Sequence, residues 1–264
     1  EIHYFHTRGT IDLELPAGPT TIEVFKGFEY IPASTQITIP AGSNIQITLQ
    51  LNRLVDPATQ GWYSGDTHIH DLHEGRFGLT SEDLFYQLQA EDLHVTNSLI
   101  HMDGTKLMGR WEDLTGKIHP LSNSEYILYY SQEFRGGFGH VGLLGLKRFI
   151  MPLIAGVPNS PYWADDLNAH YIQQSHEQGG LGGFLHPYNS SIFEPKDASG
   201  SEIPVDVALG FGDFYDIVSM ASDEFASSKI YGKLLNCGFR LAATGGSDNF
   251  SNVWRDPPPG SART

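Results

Sequence analysis

The chain contains a single cysteine, Cys237, among 264 residues. No internal disulfide can form from it, so cysteine chemistry neither staples the fold nor fixes a redox compartment. Its setting in LLNCGF, at a predicted helix end, reads as a buried core thiol. Basic side chains are scarce too: 16 Lys and Arg stand against 31 Asp and Glu, for a formal charge of -15. Such a field repels phosphate backbones, which argues against nucleic acid as a partner and favours divalent cations. No apolar run approaches the roughly 18 to 20 residues that a bilayer crossing needs, so no membrane span is expected. Several catalytic signatures are also missing. GGSDNF lacks the G-x-S-x-G nucleophile elbow, no Walker motif occurs, and GGLGG at 179–183 precedes a strand instead of leading from one into a helix. There is no internal repeat. Glu1 opens the chain without a methionine and Ser261-Ala262-Arg263-Thr264 ends it with no evident stop, which points to a processed or incomplete chain and a lean toward a secreted or periplasmic setting.

Hydrophobic residues make up 40% of the chain, enough for a sizeable core. Residues 11–16, 20–26, 36–39 and 44–51 alternate apolar and polar side chains with period two, broken by the turn clusters PAGP and PAGS. They predict a small antiparallel β module over residues 1–60. Beyond it, from residue 61 to 264, short apolar strands at 94–100, 126–132, 140–146, 181–185, 214–219 and 240–244 alternate with helical segments at 80–91, 164–178 and 223–236. That rhythm predicts an α/β fold with a mainly parallel sheet or barrel. Thr80, followed by Ser81-Glu82-Asp83, is a helix start with acidic groups at the positive end of the dipole. Residues 151–161 and 189–204 read as surface loops.

The densest chemistry lies in GDTHIHDLH, residues 65–73. His68 and His70 are two apart, so on a strand both imidazoles leave the same face and can converge on one ion. Alone, the pair is as well explained by two hydrogen-bonded surface histidines. Its weight comes from the other metal-ligating types at or beyond predicted strand ends: Glu133 after YILYYSQ, His186 after LGGFL, and Asp248 after RLAAT-GGS. His140 follows Glu133 across the glycine-rich turn at 136–139 and can re-enter the same face. Imidazoles mixed with carboxylates suit zinc, manganese or iron, whereas calcium would want oxygen nearly throughout.

The order of HxH, a glutamate, GH before LLGL, LHP and finally GGSD resembles the CehA/McbA-type metallohydrolases of the PHP (polymerase and histidinol phosphatase) superfamily. The resemblance runs from about Gly61 to Asn249, and the leading β module is similar to that of longer members. It implies a distorted (β/α)7 barrel with two divalent metal ions at its C-terminal mouth. His68, His70, Glu133 and Asp248 would hold one ion and Glu133, His140 and His186 the second, with Glu133 bridging. Members with a third metal carry a histidine two residues after the last aspartate. Here that position is Phe250, so a third ion at His73 and His101 is not expected and Phe250 is read as a pocket wall.

Two further residues are candidates for the reaction itself. His101 can act as a base or proton carrier, oriented by Asp103, and Arg135 can bind an anionic oxygen in bidentate fashion. Against them stand a satisfied polar turn residue and a plain salt bridge. Asp66 is expected to accept backbone amides before His68, with a weaker alternative as a further carboxylate ligand. Asp206, Asp213 and Asp216 are strand-edge carboxylates, of which a minority would reach the site. Tyr188 either lines the mouth or packs on its loop. Trp62, Tyr63, Tyr126, Tyr129 and Tyr130 are expected in the core, and His3, His6, His94, His119, His170 and His176 at the surface or in structural roles. The expected function is hydrolysis of a small-molecule ester, amide, carbamate or phosphoester by a hydroxide that two metals activate. The alternative is a non-catalytic, metal-stabilised module of a larger extracellular or surface assembly.

Overall fold

The computed structural model describes residues 4–73, 77–157, 160–162, 167–188, 200–253 and 257–264. In the N-terminal part β1 (Gly18–Val24) pairs antiparallel with β3 (Ala33–Ile39), and two-residue strands β2 (Tyr30–Ile31) and β4 (Asn52–Arg53) pair beside them. The strands expected at 11–16 and 44–51 do not form. Ile11, Leu13 and Leu15 are all more than 40% exposed, as are their polar neighbours: a period-two pattern becomes a strand only where a sheet edge and a face to bury are on hand.

The remainder is mixed α/β. In chain order it contains β5 (Gly65–His70), α1 (Ser81–Ala90), β6 (Val95–Asp103), β7 (Lys106–Met108), β8 (Ile127–Gly136), β9 (Gly139–Leu144) and β10 (Ile154–Ala155). There follow α2 (Asn168–Glu177), β11 (Leu181–Leu185), α3 (Ile203–Ala208), β12 (Phe214–Val218), α4 (Glu224–Asn236), β13 (Ala242–Gly245) and β14 (Asn249–Phe250). One sheet runs β13-β12-β11-β9-β8-β6-β5-β14, with β7 paired to β6 and β10 to β8. It curls until its two sides approach each other. The Thr67 hydroxyl reaches the Gly245 carbonyl at 3.4 Å, while Thr264 exchanges backbone bonds with Gly65 and accepts the Gly245 amide on its side chain.

Two expectations about this region need correction. Most neighbours are parallel, but β8, β9 and β11 run antiparallel to one another in turn. The glycine-rich turn after Gly136 is too short for a helical crossover, so the chain reverses as a hairpin. Glu133 therefore lies inside the long strand β8, opposite Gly142 on β9, and not past a strand end. The segment expected as loop at 189–204 lies partly outside the described residues, and its end begins α3 at Ile203.

The helices start where capping chemistry places them. The Thr80 hydroxyl accepts the Asp83 amide at 3.1 Å and the Asp83 carboxylate accepts the Thr80 amide at 2.9 Å, a reciprocal capping box. Asp223 caps α4 through the Ala226 amide. Between helices and sheet lies the main core, including Leu84, Leu88, Ile100, Leu128, Phe134, Tyr171, Ile172 and Tyr215. Inside the curl a smaller cluster of Leu99, Leu185 and Phe214 packs against Leu144. It needs Gly183, where a Cβ would come within 2.5 Å of several Phe214 ring atoms. Tyr130 is buried as expected, but Trp62 and Tyr63 are 74% and 58% exposed because they sit in the connector before β5, outside the sheet. Cys237 is exposed as well, at the C-cap of α4.

Candidate metal centre

β5 carries the first two ligand candidates. Its register against β6 shifts between Asp66 and Ile69, yet the two rings still meet, with His68 Nε2 and His70 Nε2 3.0 Å apart. Both side chains are wholly buried. The preceding carboxylate explains how the strand end is held. Asp66, itself buried, accepts the amides of His68 and Ser247 on one oxygen and the Ser247 hydroxyl and Gly260 amide on the other. Asp66 thus ties β5 to the β13–β14 turn and to the C-terminal segment.

Glu133 is fully buried and divides its oxygens. Oε1 lies 2.6 Å from His140 Nδ1 and 3.7 Å from His186 Nε2, while Oε2 faces His70 Nε2 at 3.4 Å and His68 Nε2 at 3.9 Å. Asp248 does something similar across the gap. Its Oδ1 is 3.2 Å from His68 Nε2 and 3.4 Å from His70 Nε2, and its Oδ2 is 3.8 Å from His186 Nε2. All six expected ligand candidates, His68, His70, Glu133, His140, His186 and Asp248, are therefore brought into one place. Three overlapping triplets have ligand atoms within 4.8 Å of one another: His68 with His70 and Glu133, His68 with His186 and Asp248, and Glu133 with His140 and His186. Asp248 had been expected beside the first pair of histidines alone, and it also reaches His186.

The donor set fits metal on chemical grounds. Two imidazole nitrogens facing each other at 3.0 Å beside two carboxylates require a cation or a proton between them. The protonation states lean the same way. Burial drives His68 down to about 3, offset in part by Asp248 and Glu133, and burial also lowers His140. Burial raises Glu133 and Asp248, but the cationic and imidazole neighbours overcome it and hold both well below the carboxylate range. Burial would lower His186 too, yet Glu133 and Asp248 outweigh it and the imidazole is raised. Ionised Glu133 and Asp248 thus face rings that burial keeps neutral at His68 and His140, with His186 holding the charge an ion would supply.

The backbone marks the same place. His186 and Asp248 have φ of 27° and 52°, in the region that disfavours residues with a Cβ. Each costs about 1 kcal/mol or more. Strain of this kind persists where the surroundings hold the residue for another purpose. Asp248 is fixed by its amide to the His68 carbonyl, and β14 then pairs with β5.

Around the cluster the two expected reaction residues divide. Arg135 places its Nε 3.3 Å from Glu133 Oε2, so it pairs with the very carboxylate proposed as the bridge. His101 is fully buried, with its ring centroid 4.4 Å from that of His70 and neither nitrogen hydrogen-bonded among the described residues. Asp103 does not orient it, because the β6–β7 hairpin carries Asp103 out to solvent opposite Lys106. His73 lies flat against Phe250, with centroids 3.9 Å apart, and stacks on His101 at 5.1 Å. The Phe250 ring also stands 5.5 Å from that of His70. Tyr188 donates to the Gly200 carbonyl and packs against the main core.

Of the three strand-edge aspartates, Asp216 alone comes up under the cluster; burial raises it to about 7, offset by Thr244 and Thr67. Asp213 binds His176 and the Gly182 amide, and Asp206 sits on α3. Missed by the sequence is Asp71, buried directly after His70 and held by Arg110 Nε and the Tyr130 hydroxyl, both at 3.2 Å. Its only signal was adjacency to the HxH pair. His6, His94 and His119 pair with Glu91, Ser64 and Asp113, away from the cluster, and His3 lies outside the described residues.

No protein-family model and no curated protein matches this chain. Among solved structures it is similar to the crystal structure of PsfC from Pseudomonas syringae PB-5123, with 14% identity and a TM-score of 0.49. The alignment covers 76% of this chain and 80% of that one.

Proposed function

We propose that the chain is a metal-dependent hydrolase of the CehA/McbA type in the PHP superfamily, with two divalent ions of zinc, manganese or iron. The observation that carries the reading is the division of Glu133, whose two oxygens face two separate pairs of imidazoles. The order of the six candidates along the chain and the strained backbone at His186 and Asp248 support it further. The distorted (β/α)7 barrel belongs to the same proposal. It draws support from the approach of β13 to β5, and the antiparallel β8-β9-β11 run is its departure from that pattern.

His68, His70, Glu133 and Asp248 would hold one ion and Glu133, His140 and His186 the other, with Asp248 within reach of both. Ions held there supply a water nucleophile at neutral pH and stabilise negative charge on the attacked and leaving oxygens. The chain's own groups then divide the remaining work. Arg135, half-buried beside Glu133, binds an anionic oxygen of the substrate through the guanidinium nitrogens that Glu133 does not take. His101, lowered well below its usual range by burial, stays neutral and can take or give a proton at a ring nitrogen facing the leaving group. Phe250 and His73 close one wall against water. The substrate is a small ester, amide, carbamate or phosphoester, since a buried cluster of this size admits one reacting group and the net acidity of the chain disfavours polyanions.

Elemental analysis of protein isolated without chelator, together with turnover of p-nitrophenyl phosphate and p-nitrophenyl acetate, tests the reading. We expect two divalent ions per chain and hydrolysis of at least one ester that is lost on chelation and restored by metal. Tight stoichiometric metal with no turnover of any ester, amide or phosphoester would instead make the cluster a structural element of a larger assembly.

A further inference from the structure

A histidine that ligates through one ring nitrogen needs an acceptor for the N–H on the other, which fixes both the tautomer and the ring plane. His70 has one: its Nδ1 lies 2.8 Å from the Leu99 carbonyl oxygen. His68 does not. Its Nε2 faces His70 and Asp248, so Nδ1 must carry the proton, yet Nδ1 is buried and has no hydrogen-bond partner among the described residues. An orphaned donor of this kind would cost about 1 to 3 kcal/mol.

A matching orphan lies close by. Asp216, on β12, is fully buried and uses one oxygen twice: Oδ1 accepts the Thr67 hydroxyl at 2.8 Å and the Thr244 hydroxyl at 2.5 Å. Its Oδ2 is buried with no hydrogen-bond partner among the described residues. The free oxygen and the base of the His68 side chain border one gap, at Gly246. A Cβ on Gly246 would stand 2.5 Å from Asp216 Oδ2, 2.7 Å from His68 Cβ and 2.9 Å from Thr67 Oγ1. Nδ1 adjoins the ring carbon that bears Cβ, so the free oxygen lies toward the end of the imidazole that carries Nδ1 and away from Nε2. The two threonines hold the carboxylate by its far oxygen and leave Oδ2 to point into the gap that glycine leaves open.

Resting on the reading that the cluster holds metal, we propose that Asp216 is a positioning residue for His68, its Oδ2 accepting Nδ1–H through one buried water and so turning the Nε2 lone pair to the ion. Asp216 touches no metal and no substrate in this scheme. It acts through the imidazole alone.

The experiment is Zn²⁺ titration of the chelated protein by calorimetry in a double-mutant cycle, with the tautomer of His68 read by long-range ¹H–¹⁵N correlation. D216N should bind Zn²⁺ about 10- to 100-fold more weakly than the wild type. In the H68A background D216N should cost nothing further, because the residue it positions is gone. A merely structural carboxylate would weaken binding equally in both backgrounds, and that result overturns the proposal. G246A, which places a methyl group between Oδ2 and His68, should reproduce the loss with the carboxylate intact and serves if D216N fails to fold. The wild-type spectrum adds a check without any variant: Nε2–H on His68 overturns the assignment, and Nδ1–H that D216N leaves unshifted overturns it too. A wild type that binds no Zn²⁺ sinks the metal reading and this inference together, whereas normal binding unaffected by D216N sinks the inference alone.

Discussion

At the scale of single residues, the site depends on carboxylates whose two oxygens do different things. Glu133 serves two pairs of imidazoles, so Glu133→Gln removes the charge and replaces one accepting oxygen with a donor while keeping the shape. The variant should keep the wild-type far-ultraviolet circular dichroism and lose at least one equivalent of metal by elemental analysis; full metal content would end its role as a bridge. Asp66 is the complementary case, because its partners are two amides on one oxygen and a hydroxyl and an amide on the other, all donors. Asp66→Asn would aim an NH₂ group at such donors. We expect a loss of about 2 to 4 kcal/mol in denaturant unfolding, since the strand end, the β13–β14 turn and the Gly260 segment lose their common acceptor. A loss under half a kcal/mol would show that these bonds are not what holds the three segments together.

At the scale of elements, the sequence carried most where local chemistry decides the outcome. The Thr80 start of α1 was legible because the capping residues are neighbours in the chain. Thr80→Ala should cost about 1 kcal/mol and lower Tm by about 2 to 4 °C, measured by thermal unfolding with metal removed. β11 at 181–185 matched its apolar run residue for residue, bounded by glycines on one side and His186 on the other. Period-two alternation failed at 11–16 and 44–51 for a different reason. Alternation states which side chains could be buried together, but whether a partner strand and a face exist is a tertiary matter. The hairpin of β8 and β9 was half legible. The glycines announced the turn and His140 was placed correctly beyond it, but the reversal of direction that follows from so short a turn was not drawn from the sequence. Asp103 failed as a partner of His101 because nothing in LIHMDG shows that β7 will pull the strand end into solvent.

At the scale of the whole molecule, the six ligand candidates come from β5, β8, β9 and the ends of β11 and β13, so they span 181 residues of chain from His68 to Asp248 in positions no local pattern relates. Their residue types and order were readable; that Asp248 also reaches His186, and that Arg110 pairs with the buried Asp71, follow only from how the sheet curls. An ion held there clasps both sides of the curl and stabilises it by mass action, by about 2.7 kcal/mol at a hundredfold excess over Kd, on the order of 5 °C or more in Tm. That increment should depend on pH with a definite sign. His186 is raised by Glu133 and Asp248, so in the metal-free chain its protonated form stabilises the fold fully below its unfolded value of about 6.5, and that contribution fades as pH rises through the folded value. The ion replaces the proton. Metal binding therefore expels a proton from His186 below the folded value and none above it, while His68 and His140, lowered by burial, are already neutral there. Thermal unfolding with and without chelator at about pH 6, 7 and 8 should show a Tm increment that grows with pH, its underlying affinity rising by up to about tenfold per unit until His186 is neutral. An increment that is flat across this range would mean that the proton on His186 and the metal do not compete for one place.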